Sequence, residues 1–233
     1  MRKILLSNDD GIFSEGLRRL SAIAVKYGEV WIAAPESQRS GCSHSETIND
    51  VIDVKKVPFP VEGVHAYSCS GTPADCIKVG MRILVPGGPD FVVTGINYGY
   101  NCGYDIQYSG TAGAAMEAAT GKCVSVAVSE GRDGYHEVAD KYLPEILTKL
   151  MDEKPEKGKI WNVNIPSCPP EKFNGILENR SISGTAFIID EFTVTGDEEH
   201  MSVTVGAKPG GVPEPGTDLW AVANNYISIG IVG

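Results

Sequence analysis

Two adjacent carboxylates, Asp9 and Asp10, directly follow the first apolar run of the chain. That run, Ile4–Leu6, is short and is bounded by polar residues and Gly11, which is typical of a buried strand, so both acids lie at the carboxyl end of a strand. In an open α/β sheet, ligands bind at this edge. Two negative charges in one crevice repel each other, and a bound cation relieves that repulsion. A single Asp here would more often cap a helix, but two in succession after Asn8 favour a metal site.

Two further polar clusters follow later predicted strands. Ser40 lies in the segment Gln38–Gly41 after the second strand, and Asn97 lies in Gly95–Gly99 after the central strand. We therefore expect Ser40 and Asn97 at the same sheet edge as the acidic pair. Carboxylates combined with a hydroxyl and a carboxamide suit a hard cation such as Mg²⁺ or Mn²⁺ better than zinc.

A third cluster, Ser109-Gly110-Thr111, opens a predicted helix. It presents hydroxyls and free backbone amides at a helix start, where the helix dipole attracts phosphate. Taken alone, the cluster is explained by helix capping at Ser109 and by turn chemistry at the glycine. Together with the acidic pair, the cluster predicts a site in which a phosphate is bound next to a metal ion.

Strand signals alternate with helix signals over about two thirds of the chain. Ser14 and Thr72-Pro73 are typical helix starts, and the apolar residues that follow them have helical spacing. Such alternation predicts βαβ units and a Rossmann-like α/β fold, that is, a mainly parallel sheet with flanking helices. The other predicted strands are 30–34, 91–94, 124–128 and 160–165, and the other predicted helices are 111–120 and 135–151.

Beyond Pro166 the pattern changes. Residues 187–195 and 201–205 are β-prone and predict a C-terminal β-hairpin, followed by a Pro/Gly-rich connector at 208–215. An isolated hairpin is marginally stable in water, so it must pack on its own domain or on a second subunit. We expect a catalytic core at 1–180, a hairpin oligomerisation arm at 181–210 and a segment at 211–233 that returns to the core or to a partner subunit.

The composition restricts the partners. A net charge of −10 argues against binding to a nucleic-acid polymer or an anionic membrane, because both need a surplus of Lys and Arg. The six cysteines form no Cys-x-x-Cys pair, which favours reduced, buried thiols. Only five residues separate the N-terminal Met1–Lys3 from the acidic pair, too few for a signal peptide or a membrane span, so we expect a cytoplasmic protein.

Several chemistries are disfavoured by inspection. The chain contains no Gly-x-Gly-x-x-Gly, Gly-x-Ser-x-Gly or His-Glu-x-x-His sequence. Haloacid-dehalogenase-type phosphatases use Asp-x-Asp, whereas Asn8 stands at the position of that nucleophile. A signalling receiver domain needs an Asp after the central strand and a Lys after the last core strand, where this chain has Asn97 and Ser167. A non-catalytic protein that binds a metal or a nucleotide stays open as the alternative.

Six segments between residues 3 and 166 occur in the order seen in one known family, and the chain resembles the SurE family, the survival protein E nucleotidases. The segments are Asn8-Asp9-Asp10-Gly11-Ile12, Ala34-Pro35 with Gln38-x-Ser40-Gly41, Gly71-Thr72-Pro73-Ala74-Asp75-Cys76, Gly95-Ile96-Asn97-x-Gly99-x-Asn101, Tyr108-Ser109-Gly110-Thr111 with Ala114-Ala115-Met116-Glu117, and Asn162-Val163-Asn164-Ile165-Pro166. The end of the chain departs from the family, because Gly230-Ile231-Val232 replaces the usual Thr-Pro-Leu.

The resemblance implies a Rossmann-like phosphatase that depends on one divalent cation per subunit, most commonly Mg²⁺ or Mn²⁺. It implies nucleoside 5′- and 3′-monophosphates as substrates, in some members also short polyphosphate, and a dimer or tetramer as the assembly. By the resemblance, the metal ligands are Asp9, Asp10, Ser40 and Asn97, of which Asp9, Asp10 and Asn97 are catalytic. Phosphate binding carries over to Asn101, Ser109, Gly110 and Thr111.

Overall fold

The computed structural model describes residues 1–121 and 123–233. Within them, one large sheet is flanked by helices, and a two-stranded hairpin stands apart. The strands are β1 (Arg2–Ser7), β2 (Gly28–Pro35), β3 (Val54–Lys56), β4 (Val64–Cys69), β5 (Phe91–Tyr98), β6 (Val124–Glu130), β7 (Ile160–Ile165), β8 (Gly175–Leu177), β9 (Ile188–Gly196), β10 (Met201–Pro209) and β11 (Tyr226–Val232). The α-helices are α1 (Glu15–Ala24), α2 (Pro73–Val79), α3 (Gly110–Ala119), α4 (Glu137–Leu150) and α5 (Asp218–Ala223).

The large sheet has the strand order β3-β4-β2-β1-β5-β6-β7-β11-β8. All pairings from β4 to β7 are parallel, whereas β3 and β11 run antiparallel to β4 and β7. The prediction of a Rossmann-like, mainly parallel sheet is therefore confirmed. The carboxyl ends of β1, β2, β5 and β6 meet at one edge, and the predicted metal ligands lie at or after the ends of β1, β2 and β5.

Both predicted helix starts have the expected caps. The Ser14 hydroxyl accepts a hydrogen bond from Leu17 N, and the Thr72 hydroxyl accepts one from Asp75 N. The sequence interpretation was wrong about the end of β5. The strand continues to Tyr98, so Asn97 lies within the strand rather than after it.

A register shift between Thr94 and Asn97 interrupts the pairing of β5 with β6. Gly95 occupies this irregularity with φ of +129°, and a Cβ there would lie 2.2 Å from the Val128 carbonyl oxygen. Only glycine tolerates both conditions. Irregularities of this kind redirect side chains at the edges of sheets, and here the irregularity immediately precedes Asn97.

The sequence interpretation missed β3, β4, β8 and α5, which are short or lack a clear alternation. For residues 211–233 it predicted only a segment that returns to the core or to a partner subunit, and it assigned no strand there. In the structure β11 pairs with β7 and β8 of its own chain. The hairpin occurs as predicted, with a β10 that extends into the predicted connector.

Apolar side chains from alternate positions of the strands fill both faces of the sheet. On one face, Leu17 of α1 and Leu143 of α4 belong to the larger core cluster with Leu6. On the other face, Leu5 packs in a smaller cluster that includes Ile77 of α2 and Ala114 of α3. The described helices include none long and apolar enough to cross a membrane.

A buried ion cluster joins α1, β6 and α4 beside the site edge. The Arg19 side chain is only 8% exposed, and its guanidinium nitrogens lie 2.6 Å from both Glu130 Oε2 and Asp140 Oδ1. His136 Nδ1 lies 2.8 Å from the same Glu130 oxygen. The Glu130 carbonyl accepts a hydrogen bond from Gly99 N at 2.7 Å, so this cluster also supports the loop after β5.

Replacing Arg19 by methionine should destabilise the protein by about 3 kcal/mol, because the buried Glu130 carboxylate loses its counter-charge. The neighbouring Arg18 pairs with Glu15 in solvent and provides a matched control. Exposed pairs contribute little, so Arg18→Met should leave the urea midpoint nearly unchanged. Equal midpoints for the two variants in urea denaturation would contradict this assignment.

Candidate active site

The turn that carries the acidic pair is held by Asn8. Its Oδ1 accepts a hydrogen bond from Gly11 N at 3.2 Å, and its Nδ2 donates to Gly11 O at 3.0 Å and to Ser14 Oγ at 2.7 Å. Asn8 therefore links the turn to the start of α1. It positions Asp9 and Asp10 at the sheet edge, and both hydrogens of its side-chain amide are engaged there rather than available to a phosphate.

Asp9 is clamped by the start of α3. Its side chain is buried, Oδ1 accepts a hydrogen bond from the Thr111 hydroxyl at 2.6 Å, and Oδ2 accepts one from Thr111 N at 3.2 Å. A Cβ on Gly110 would lie 2.9 Å from the Asp9 Cβ, so glycine allows the helix to approach this closely. The helix start thus binds an anion, as its amides and dipole predict, and that anion is the Asp9 carboxylate.

Burial raises the pKa of Asp9, and the hydrogen bonds from Thr111 and from the amides of the helix start oppose that rise. Burial also raises the pKa of Asp10. The Tyr98 amide, whose nitrogen is 3.1 Å from Asp10 Oδ2, lowers it, and the charge of Asp9 raises it further. Two neighbouring carboxylates are thus held where full ionisation is unfavourable. A cation bound between them would remove this penalty.

The two neutral ligands predicted from sequence differ in burial. Asn97 is buried, and its Nδ2 donates to Gly99 O at 2.8 Å. Of the residues that the structure describes, none donates a hydrogen bond to Asn97 Oδ1, which stays available as a ligand. Ser40 is exposed, and its hydroxyl accepts a hydrogen bond from Gln38 Nε2 at 3.2 Å. Gln38 also lowers the pKa of Asp10, so this one side chain acts on both Ser40 and the acidic pair.

The donor chemistry fits a hard divalent cation. Across residues 1–121 and 123–233, no three His, Cys, Asp or Glu side chains come together as a metal site. Two carboxylates supplemented by amide and hydroxyl oxygens match the preference of Mg²⁺ and Mn²⁺ rather than of zinc. All six cysteines are free, and all but Cys42 are buried, which agrees with the prediction of reduced thiols.

The donors of the predicted phosphate site already have partners within the protein. The Ser109 hydroxyl accepts from Ala112 N at 2.9 Å and caps α3, while the hydroxyl and amide of Thr111 donate to Asp9. The Asn101 Nδ2 donates to Ser129 Oγ at 2.8 Å. Phosphate binding by Asn101, Ser109, Gly110 and Thr111 therefore stays a prediction.

Asn101 is the centre of a buried amide network. Its backbone nitrogen donates to Asn164 Oδ1 at 2.8 Å, and its carbonyl accepts from the side-chain nitrogens of Asn162 at 2.9 Å and Asn164 at 3.1 Å. These bonds attach the loop after β5 to β7, and the bond from Asn101 Nδ2 to Ser129 attaches it to β6. The loop that follows Asn97 is therefore rigidly held.

Arg132 is a site residue that the sequence interpretation missed. Its Nε donates to Tyr98 O at 3.1 Å, its guanidinium carbon lies 5.5 Å from the centre of the Tyr98 ring, and its charge lowers the pKa of Asp10. The signal was present, since Arg132 follows the carboxyl end of β6 closely. The reasoning that selected Ser40 and Asn97 applies equally to this position.

A cavity of about 720 Å³ opens beside Arg132 and extends to the base of the hairpin. We refer to it as the aromatic cavity, because four aromatic side chains line it together with aliphatic and acidic ones. Its lining residues are Gly99, Tyr100, Tyr104, Asp105, Tyr108, Arg132, Asp133, Ala186, Phe187, Ile188, Ile189 and Asp190. Its volume falls within the range of small-molecule binding sites.

These features define a class of protein: an α/β protein with an acidic, oxygen-donor site at the carboxyl edge of a parallel sheet, next to a cavity of small-molecule size. Residues 4–186 match the family model described as "Survival protein SurE". The chain belongs to the SurE family.

Relatives of known name cover nearly the whole chain. The chain is 40% identical to "5'-nucleotidase SurE" from Clostridium botulinum (strain 657 / Type Ba4), over 97% of this chain and 90% of that protein. It is 38% identical to "5'/3'-nucleotidase SurE" from Wigglesworthia glossinidia brevipalpis, over 97% and 89%. The crystal structure of the SurE protein from Aquifex aeolicus superposes with a TM-score of 0.83 at 34% identity, covering 99% of this chain and 92% of that one.

The Asp9 clamp generates a prediction for Thr111→Val, which removes the hydroxyl at nearly constant volume. The Thr111 hydroxyl lowers the pKa of Asp9, so its loss should raise that pKa further. A proton then competes better with the cation, and Mn²⁺ affinity at slightly acidic pH should fall about tenfold, which is the scale of one hydrogen bond to a charged group.

Thr120→Val is the matched control, since the Thr120 hydroxyl donates to the Glu117 carbonyl at the opposite end of the same helix. Calorimetric Mn²⁺ titrations of both variants between about pH 5 and pH 8 measure the effect, in a range where bound protons and cations compete for carboxylates. Parental Mn²⁺ affinity for Thr111→Val throughout that range would rule out the clamp as a tuning element.

Proposed function

We propose that this protein is a divalent-metal-dependent phosphatase that hydrolyses nucleoside 5′-monophosphates, and also 3′-monophosphates, to nucleoside and phosphate. The observation that carries the proposal is the acidic pair Asp9 and Asp10 at the carboxyl edge of the sheet, where Asp10 accepts a hydrogen bond from Tyr98 N, next to Asn97 in the sequence. Arg132, which binds Tyr98 O and lowers the pKa of Asp10, also lines the aromatic cavity and connects the two. The names of the relatives, 5′-nucleotidase and 5′/3′-nucleotidase, support an enzyme over a non-catalytic metal or nucleotide binder.

Asp9, Asp10, Ser40 and Asn97 would hold one cation per subunit, with Mg²⁺ or Mn²⁺ favoured by the oxygen donors. When bound, such a cation neutralises phosphate charge and lowers the pKa of a coordinated water. Asp9 is poorly suited to attack phosphorus itself, because both of its oxygens already accept hydrogen bonds from Thr111. We therefore assign the attack to water and the holding of the metal to Asp9.

The start of α3 supplies the positive electrostatic field on the phosphate. Ser109, Gly110 and Thr111 form the N-terminal end of that helix and face Asp9. A phosphate held against the same cation lies within the field of the helix dipole, which stabilises negative charge on its equatorial oxygens. The network around Asn101 keeps the adjoining loop in place during the displacement.

The aromatic cavity is the place that we assign to the nucleoside. Tyr104 and Tyr108 are largely exposed, and their rings are available for stacking. Tyr100 and Phe187 already meet edge to face, with ring centres 5.6 Å apart. Stacking on aromatic side chains tolerates any base, because every base has a π-face. The cavity thus supports activity on several nucleotides.

Metal-stripped protein should release no phosphate from adenosine 5′-monophosphate until Mg²⁺ or Mn²⁺ is added back. Asp9→Asn and Asp10→Asn should each abolish this activity, since each removes a charged metal ligand without leaving a cavity. Asp152→Asn, at an exposed ion pair with Arg2, is the control and should keep parental turnover. Full turnover by either site variant at saturating metal would contradict the metal-site assignment.

Stability provides a second readout for the Asp9 and Asp10 variants. Both carboxyls have a folded-state pKa above the ordinary value, so the folded state retains their protons to higher pH than the unfolded state does. In the metal-free protein the free energy of unfolding therefore falls as pH rises from about 3.8 through the raised pKa values. The Asp9→Asn variant has no carboxyl at position 9 to ionise, so its metal-free form does not lose the corresponding free energy of unfolding as pH rises. It should therefore have a Tm at neutral pH no lower than that of the metal-free parent. Added Mn²⁺ should raise the Tm of the parent more than that of the variant.

We further propose that the hairpin is an oligomerisation arm of a symmetric dimer. Its two faces differ, because side chains alternate along each strand. One face carries Phe192 opposite Val205 and Val194 opposite Val203, all at least half exposed. The other face carries Thr193 opposite Thr204. A one-sided apolar surface of this kind fits a second copy of the same arm.

The double variant Phe192→Asp/Val203→Asp should shift the protein from dimer to monomer, because it places charges on the apolar face. Thr193→Asp/Thr204→Asp introduces the same charges on the opposite face and should keep the parental mass. Light scattering coupled to gel filtration distinguishes the two. If all three proteins have the same mass, the arm is not the dimer interface.

A cytoplasmic location also belongs to this proposal. The free thiols support it, since a reducing compartment keeps such thiols unpaired. The net charge of −10 supports a small-molecule substrate over a nucleic-acid polymer or an anionic membrane as partner.

A further inference from the structure

The walls of the aromatic cavity carry an unusual set of charges for a site that receives a phosphate ester. Among the lining residues that the structure describes, three are carboxylates, Asp105, Asp133 and Asp190, and one is a cation, Arg132. The rest of the lining is aromatic, aliphatic or glycine. Beyond the metal site, the cavity is therefore a negatively charged space.

The single cation does not offset these charges. Arg132 donates to Tyr98 O, lies over the Tyr98 ring and interacts electrostatically with Asp10. Its guanidinium is thus directed toward the metal site. An anion elsewhere in the cavity would face the carboxylates instead.

Two of the three carboxylates interact directly with residues of the cavity wall. Asp105 Oδ2 accepts hydrogen bonds from Phe187 N at 2.9 Å and Ile188 N at 3.4 Å, which fixes it at the base of the hairpin. Burial raises the pKa of Tyr100 to about 12, and the charge of Asp133 acts in the same direction. Asp133 therefore acts on a group in the cavity lining and not only on solvent.

We propose that this charge pattern makes the enzyme selective for a single phosphate esterified to an uncharged nucleoside, and that Asp133 and Asp190 are specificity-determining residues. The inference rests on the proposed phosphatase function. A nucleoside monophosphate places its only phosphate at the metal site and a neutral nucleoside in the cavity. A short polyphosphate places additional phosphates against the carboxylates, where like charges repel. Polyphosphate, which the family resemblance allows as a substrate, is then a poor one for this chain.

The test compares kcat/KM for tripolyphosphate with kcat/KM for adenosine 5′-monophosphate at the same metal concentration. The parent should strongly prefer the nucleotide. The double variant Asp133→Asn/Asp190→Asn should raise the ratio of tripolyphosphate to nucleotide about fivefold, which is a modest effect because exposed charges are screened. Glu62→Gln/Glu153→Gln is the control, because it removes the same charge at the opposite, amino-terminal edge of the sheet and should leave the ratio unchanged.

Ionic strength supplies an independent measurement. Raising the salt concentration from about 20 mM to about 300 mM should reduce the parent's ratio of kcat/KM for the nucleotide to kcat/KM for tripolyphosphate. The same ratio should change less in the cavity variant, because fewer charges remain to be screened. The inhibition constant of tripolyphosphate as a competitive inhibitor of nucleotide hydrolysis should fall in the cavity variant and stay at the parental value in the control variant.

Comparable efficiency of the parent on both substrates, or an equal change of the ratio in the cavity and control variants, would overturn the selectivity while leaving the phosphatase proposal intact. Absence of phosphate release from any nucleotide after metal is restored would instead overturn the proposed function itself, and the selectivity with it. All four substituted side chains are exposed, and thermal melting verifies that each variant is folded.

Discussion

The contact between Asp9 and the start of α3 is the interaction on which the site depends. It joins a residue that follows the first strand to one 102 positions later in the chain, through a 2.6 Å bond from the Thr111 hydroxyl to Asp9 Oδ1. The contact requires that Gly110 carry no side chain, because a Cβ there would meet Asp9 at 2.9 Å. The helix dipole and two hydrogen-bond donors favour the charged form of Asp9 and so oppose the rise in its pKa that burial causes.

Burying this carboxylate costs stability, and the surrounding structure has two means of offsetting the cost. Hydrogen bonds from α3 and from Tyr98 lower the pKa values that burial raises, and a bound cation would relieve the rest. The nearby ion cluster of Arg19, Glu130 and Asp140 and the amide network of Asn101 hold the surrounding loops. The site therefore combines two buried carboxylates, whose ionisation is unfavourable without a cation, with loops that are held in place by hydrogen bonds and ion pairs.

The sequence by itself determined the layered α/β fold and the position of the acidic pair, Asp9 and Asp10, at the carboxyl edge of the sheet. Alternation of short apolar runs with helical periodicity depends on local spacing, which is why the parallel sheet and the caps at Ser14 and Thr72 could be predicted. Two acids directly after a strand fall at the carboxyl edge in any open α/β sheet, so their position followed from topology alone. Short strands such as β3 and β8 could not be predicted, because three residues carry too little periodicity.

Only the tertiary structure decided what each polar group at that edge does. Thr111 had the features of a phosphate ligand, but its donors are directed to Asp9, because the start of α3 lies beside the turn that follows β1. Asn97 lies inside β5, where an irregularity at Gly95 precedes it, and Arg132 reaches Tyr98 and Asp10 from the end of a different strand. The aromatic cavity combines the loop after β5 with the base of a hairpin more than 80 residues later. Contacts between residues so distant in the chain have no local periodicity, and they exist only once the sheet has brought their strands side by side.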